Sequence, residues 1–239
     1  MIDFHTHILP EIDDGSSSPT ESLKLLKMLK EQGVEKVVLT PHFYAYSSTA
    51  ESFLQLRRKA LDKLTEMLRV EKLDIDIYLG CEVLYFEELW RLENLKSYCI
   101  EGTDYLLVEM PFSPWGDSTI EGIEKIIAKG YIPIIAHFER YIDYRGNKKK
   151  INKLLSMGAL LQMNCEFLNH FISRRKAVKF IKKGYISALG TDCHNTSGRA
   201  PNYDTANAYL KKKLSSQKYE GFQKRQRRIL SGAEKVSLN

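Results

Sequence analysis

The sequence predicts an α/β barrel, and three observations carry that prediction. Short apolar runs rich in β-branched residues alternate with longer amphipathic ones along the chain, the pattern of repeated strand–helix units. Seven such short runs can be read, and 239 residues suits a barrel folded as a single domain over 1–239. Four helical stretches end in a glycine directly before the next strand, at Gly33, Gly130, Gly158 and Gly184. Glycine there tolerates the left-handed conformation that closes a helix, so the recurrence marks repeated helix-to-strand turns.

In chain order, the expected strands are 2–5 (IDFH), 36–40 (KVVLT), 75–80 (IDIYLG), 105–109 (YLLVE), 132–137 (IPIIAH), 159–164 (ALLQMN) and 186–190 (ISALG). Each is short, apolar and rich in valine, isoleucine or leucine, as strands covered on both faces require. Between them, apolar residues recur with helical spacing over 19–32, 50–70, 85–95, 118–129, 148–157 and 174–183. The first of these helices begins on Pro19, whose fixed φ suits a first helical position. Two more helices are expected at 203–214 and 219–230, forming a basic C-terminal helical segment from about residue 203.

Composition narrows the function classes. With 43% hydrophobic and 28% charged residues the chain can bury a core, and disorder is not indicated. The first residues, MIDFHTHILPEIDDG, are acidic where a secretory signal needs basic residues, and no stretch reaches membrane-spanning length. A soluble, cytoplasmic protein is expected. Cys81, Cys99, Cys165 and Cys193 are widely spaced, which fits reduced thiols used for packing. The net charge of +6 would suit an anionic partner, but the excess lies on helical stretches that expose a polar face by default, and no nucleic-acid module accompanies it.

Chemistry collects at the ends of the predicted strands, where a βα barrel places its active site. His5 and His7 close the first strand, His42 follows the second, Glu82 the third, Glu109 the fourth and His137 the fifth, while Asp192 and His194 follow the seventh. Residues two apart on an extended chain point the same way, roughly 6 to 7 Å apart, so His5 with His7 and Asp192 with His194 can each converge on one ion. Imidazole and carboxylate without thiolate suit Mn²⁺, Fe²⁺ or Zn²⁺ more than Mg²⁺ or Cu⁺. Asp14 stands in a DDG that is also a common turn, and His170 falls off the pattern.

The stretches MIDFHTHILPEIDDGSSS, TPH, GCE, VEMPF, IAHFERY and GTDCHN with the following GRAP resemble the polymerase and histidinol phosphatase superfamily. More narrowly, they resemble its bacterial protein-tyrosine-phosphatase branch of capsular and exopolysaccharide synthesis. The resemblance implies a distorted, TIM-like barrel of seven βα units holding three divalent ions, commonly manganese. Carried over by motif, one ion falls to His5, His7, Glu82 and Asp192, a second to Glu82, Glu109 and His137, and a third to Asp14, His42 and His194. It further implies Arg140 and Arg199 as phosphate contacts. The implied substrate is a phosphotyrosine protein, the tyrosine-rich tail of a membrane-associated bacterial tyrosine kinase, which would bring the chain to the inner membrane face. The loop FYAYSS after His42 departs from a more basic stretch in some relatives, and that bears on substrate preference.

A multinuclear site of this kind suits phosphomonoester hydrolysis, because divalent ions activate water and neutralise the phosphate dianion. Phe43, Tyr44 and Tyr46 could flank a phosphotyrosine ring or pack as an aromatic loop. Two other readings stay open: a small-molecule phosphatase such as a histidinol phosphatase, and a nonenzymatic regulatory module with a structural metal site. Cys193 and Arg199 in CHNTSGR have the spacing of thiolate tyrosine phosphatases. The segment lacks the glycine-rich cradle that would lower a thiol's pKa, so Cys193 is not expected to be the nucleophile.

Overall fold

A computed structural model describes residues 1–237. The expected alternation is present as an α/β fold whose strands pair with one another in parallel, with one antiparallel bridge from Tyr78 to Lys235. Strands β1 (Ile2–Thr6), β2 (Lys36–Leu39) and β4 (Asp76–Leu79) form one sheet in the order β1-β2-β4. Strands β3 (His42–Phe43), β5 (Glu82–Leu84), β6 (Tyr105–Glu109), β7 (Ile132–Ile135), β8 (Leu160–Asn164) and β9 (Ile186–Gly190) form a second, in that order. Where seven runs were expected there are nine strands, because pairing resumes beyond the ends of two of them. The extra strands β3 and β5 follow the second run after Thr40 and Pro41, the latter lacking the N–H a ladder needs, and the third after Gly80 and Cys81. Backbone bonds carry the chain across both breaks: Gly80 N–H donates to Leu39 at 2.9 Å and Glu82 N–H to Pro41 at 3.0 Å. At the opposite edge, Asp192 N–H donates to His5 (2.8 Å) and His7 N–H to Cys193 (2.9 Å), joining the end of β9 to β1.

Helices α1 (Pro19–Glu31), α2 (Ala50–Glu71), α3 (Asp117–Ala128), α4 (Asn147–Ser156), α6 (Arg174–Lys182), α7 (Tyr203–Lys213) and α8 (Ser216–Ile229) lie within a few residues of expectation. Ser18 caps α1 by accepting from Glu21 N–H, and the four anticipated glycines adopt φ between 77° and 102°. A short helix α5 (Cys165–Asn169) was not anticipated. The stretch 85–95 is not an α-helix: it contains one 3₁₀ turn, Leu89–Arg91, and a second, Leu95–Tyr98, starts at its end. Tyr85 N–H remains bonded to Glu109 at 2.8 Å, which keeps the start of the segment on the strand ladder, and i→i+3 bonds such as Leu89 N–H to Phe86 tighten the turns after it.

Alternate side chains of the strands enter two apolar clusters. Val37, Leu39, Ile77, Leu79, Leu106, Val108 and Ile135 face the larger one, shared with the helices. Ile2, Phe4, Val38, Tyr78, Leu107, Ile134 and Ala188 meet in the smaller one, which draws on both sheets and is completed by Ile229 and Leu230 at the end of α8. The basic C-terminal segment is therefore part of the packed fold, with Tyr203, Leu210 and Phe222 fully buried. Among the described residues, no helix is long and apolar enough to cross a membrane.

Candidate metal centre

The C-terminal ends of the strands bring all nine sequence-proposed metal residues into one cluster. Glu82, buried to 1% exposure, lies at its middle. Its Oε2 is 2.9 Å from His5 Nε2, 3.2 Å from His7 Nε2 and 3.1 Å from His42 Nδ1, while its Oε1 is 3.0 Å from His137 Nε2. Glu109 stands 3.3 Å from the same His137 nitrogen. Asp192 Oδ1 lies 3.4 Å from His7 and 3.6 Å from His5. The exposed Asp14 reaches His194 Nε2 at 3.4 Å and His42 Nε2 at 3.6 Å. Three subsets, His5 with His7 and Asp192, His7 with Asp14, His42 and His194, and His42 with Glu82 and Glu109, have donor atoms close enough to share an ion.

Local backbone geometry aims these side chains. Asp192 has φ of 55° and His137 φ of 28°, both positive and both uncommon for residues with a Cβ. The segment 192–194 is therefore not the extended run expected from spacing, yet Asp192 and His194 still converge. Gly190 has to be glycine, because a Cβ there would lie 2.4 Å from the Cβ of His5.

A hydrogen-bond chain behind the cluster fixes which nitrogens face it. The Asp192 carboxylate can only accept, so the side-chain amide of Asn164 donates to Oδ2 at 2.9 Å. Asn164 Oδ1 then accepts from Gln162 Nε2 (2.9 Å), leaving Gln162 Oε1 to accept from His137 N–H (2.6 Å) and from His5 Nδ1–H (3.2 Å). In the neutral ring, the nitrogen of His5 whose lone pair faces Glu82 is therefore Nε2. His7 is set by the same logic, its Nδ1–H donating to Asp13 Oδ2 at 2.8 Å, and Asp13 also accepts from the His42 and Gly15 N–H groups. Behind His137, Nδ1 is 3.0 Å from the Tyr141 hydroxyl, which accepts from Met110 N–H.

The charges match a site built for a cation. Burial works to raise Glu82, yet His5, His137 and His7 hold it well below the carboxylate range. Burial opposes charging His7, but Asp13, Asp192 and Glu82 hold its pKa well above the usual value. The His137 ring, against the same desolvation, is pushed up to about 9 by Glu109 and Glu82. Burial and the nearby charge of His7 push His194 down to about 4. Two buried ring nitrogens, His42 Nδ1 and His194 Nε2, have no hydrogen-bond partner. Buried polar atoms are rarely left so, and an imidazole lone pair among carboxylates is the donor set that a divalent ion takes.

The remaining sequence candidates divide. Arg140 donates to Asp192 Oδ2 at 2.8 Å and Arg199 to Oδ1 at 3.0 Å, so both guanidiniums stand at the cluster's edge. Tyr44 stacks on His42 with ring centroids 4.9 Å apart, and the exposed Tyr46 stacks on Tyr44 at 5.4 Å. Phe43 does not join them: it is buried against Phe53 and Tyr98, as the next residue along a strand must point the other way. Cys193 is fully buried and burial pushes its thiol well above the usual range. His170 is exposed and outside the cluster. Sequence reasoning passed over Asp13, Gln162, Asn164 and Tyr141. Gln162 and Asn164 left a signal, being polar residues at alternate positions of an otherwise apolar strand end.

The profile of capsular polysaccharide synthesis proteins CpsB/CapC matches residues 1–230. The chain belongs to the CpsB/CapC family. The tyrosine-protein phosphatase CpsB of Streptococcus pneumoniae is 28% identical over 233 residues, covering 91% of this chain and 93% of that protein. CapC of Staphylococcus aureus is 31% identical over 209 residues, covering 83% of this chain and 79% of the relative. The tyrosine-protein phosphatase YwqE of Bacillus subtilis is 27% identical over 223 residues, covering 91% and 86%. The same fold occurs among the solved structures of YwqE and of S. pneumoniae CpsB, metal-dependent tyrosine phosphatases, with a TM-score of 0.84, 24% identity and coverage of 99% of this chain and 97% of the other.

Proposed function

We propose that this chain is a metal-dependent protein-tyrosine phosphatase of capsular or exopolysaccharide synthesis. The observation that carries the reading is the pair of buried imidazole nitrogens on His42 and His194 that make no hydrogen bond although the carboxylates of Glu82 and Asp14 stand 3.1 and 3.4 Å away. The residues fit three divalent ions, Mn²⁺ first among them and Fe²⁺ or Zn²⁺ as alternatives: His5, His7, Glu82 and Asp192 for one, Glu82, Glu109 and His137 for a second, Asp14, His42 and His194 for a third. When bound, such ions supply an activated water and neutralise the phosphate dianion.

The chain's own groups do the rest. Arg140 and Arg199 each present further guanidinium N–H groups beside Asp192 and would grip phosphate oxygens in a forked contact. Tyr44 and Tyr46 offer aromatic faces to the phosphotyrosine ring. A tyrosyl leaving group needs little acid assistance, since the phenol pKa is near 10. Asp13, Gln162, Asn164 and Tyr141 hold the ligands in orientation. The bonds from β9 back to β1, with the smaller apolar cluster drawing on both sheets, support a single-domain, distorted barrel of seven βα units. We place the protein in the cytoplasm, acting on a phosphotyrosine protein of the tyrosine-kinase type at the inner membrane face. Relative kcat/KM on a phosphotyrosyl peptide and on histidinol phosphate tests the substrate class: preference for the peptide supports it, and preference for histidinol phosphate makes the chain a small-molecule phosphatase.

A further inference from the structure

Few large apolar side chains are exposed on this protein. Of the six that stand exposed among the described residues, Tyr46 and Phe112 lie in the loops after β3 and β6, and Phe171 and Ile172 in the connection between α5 and α6. Single exposed apolar residues are ordinary, but Ile172 also lines a cavity beside the candidate metal centre. The cavity, of about 380 Å³, lies between the loops after β7 and β8; its apolar wall is Phe167 and Ile172, and its polar wall includes Arg140, Asn164, Glu166 and His170. Arg140 and Asn164 both bind Asp192, so this cavity is one side chain away from the cluster. Phe167 and Ile172 give it a surface for an apolar side chain within reach of Arg140. Glu139 Oε1 accepts from Asn164 N–H at 3.0 Å, which ties the cavity wall to the end of β8.

We propose that this cavity is a specificity subsite for an apolar residue adjoining the phosphotyrosine in an extended polypeptide. Ile172 and Phe167 contact that side chain, and Arg140, which lines the same cavity, grips the neighbouring phosphate. This inference rests on the phosphatase reading above and narrows its substrate. A small phosphomonoester ends at the cluster and has nothing to place in the cavity. An extended peptide advances about 3.3 Å per residue, so the occupant is one or two positions from the phosphotyrosine.

Ile172 is 86% exposed, so replacing it removes no core packing. The test compares kcat/KM for a phosphotyrosyl peptide with leucine at the flanking positions against that for p-nitrophenyl phosphate. In Ile172→Asp the ratio of peptide to aryl phosphate falls about ten-fold, the worth of one buried aliphatic contact, chiefly through KM. Ile172→Leu restores it, and exchanging the peptide's flanking leucines for aspartate in the wild type lowers the ratio comparably. A ratio unchanged in Ile172→Asp overturns the proposal. Anisotropy of a labelled phosphonotyrosyl peptide, which cannot be hydrolysed, separates the subsite from the chemistry. Equal binding by wild type and Ile172→Asp refutes the subsite, whereas weakened binding without turnover of any phosphate ester supports it and refutes the phosphatase reading.

Discussion

Gln162→Leu removes the hub of the hydrogen-bond chain behind the cluster while nearly keeping side-chain volume. Three buried groups lose their partner: His5 Nδ1–H at 3.2 Å, His137 N–H at 2.6 Å and Asn164 Oδ1 at 2.9 Å. Each unsatisfied buried group costs about 1–3 kcal/mol, which puts the destabilisation on the order of 3–5 kcal/mol once partial relaxation is allowed. For a chain of this size that lowers Tm by about 10 °C, read by circular dichroism on metal-free protein. The second effect is on the ligands. With Nδ1 freed, His5 can take the tautomer that protonates Nε2, and Asn164 no longer holds Asp192 in one orientation. Loss of such an outer partner lowers metal affinity about 10- to 100-fold, read by competition for Mn²⁺ against a fluorescent chelator. Gln162→Glu keeps the acceptor for both histidines and loses only the donor to Asn164, so it should fall between. Wild-type Mn²⁺ affinity together with an unchanged Tm in Gln162→Leu would refute the reasoning.

The same geometry sets other expectations. His5→Ala, Glu82→Ala and His194→Ala should each bind fewer ions per chain by elemental analysis and lose activity by several orders of magnitude, and an intact ion count in all three would contradict the ligand assignment. Arg140→Lys keeps the charge but not the fork, so kcat/KM on phosphotyrosyl peptide should drop about ten- to a hundred-fold; equal activity removes Arg140 from phosphate binding. Burial works against ionising Asp13, but His7 and the N–H groups of His42 and Gly15 hold its pKa down to about 2. A carboxyl lowered on folding stabilises above its unfolded pKa, so in metal-free protein Asp13→Asn should cost about 2 kcal/mol at pH 7. That gap should close as pH falls from about 4 to about 2 in chemical denaturation, and a gap independent of pH would show that Asp13 is not held ionised. Cys193→Ser should retain most activity, because the thiol is buried with its pKa pushed well above the usual range; inactivity with normal folding and metal content would point to cysteine catalysis.

The cluster was legible because it depends on side-chain type at strand ends, and strand ends can be read from apolar runs. HTH, TPH, GCE and TDCH each close such a run, so the ligands could be placed on one rim from the sequence alone. The features that escaped are set by three-dimensional neighbours. Asp13 and Asp14 are indistinguishable in DDG, yet one is turned inward by the N–H groups of His42 and Gly15 and the other stays 64% exposed. Phe43 sits beside His42 in sequence but on the opposite strand face. The run 85–95 has helical periodicity, and only the bond from Tyr85 to Glu109 shows why its start stays with the sheet. The positive φ at Asp192 and His137 left only a faint sequence signal, since aspartate and histidine adopt it more often than other residues with a Cβ but far less often than glycine.

The central claim is that divalent ions held by this cluster hydrolyse phosphotyrosine. The most direct measurement tracks release of inorganic phosphate from a phosphotyrosyl peptide, with metal content determined on the same samples as purified, after exhaustive chelation, and after Mn²⁺ is restored. The account predicts between two and three ions per chain as purified, loss of both ions and activity on chelation, and their return together with Mn²⁺. Full activity in metal-free protein would contradict it.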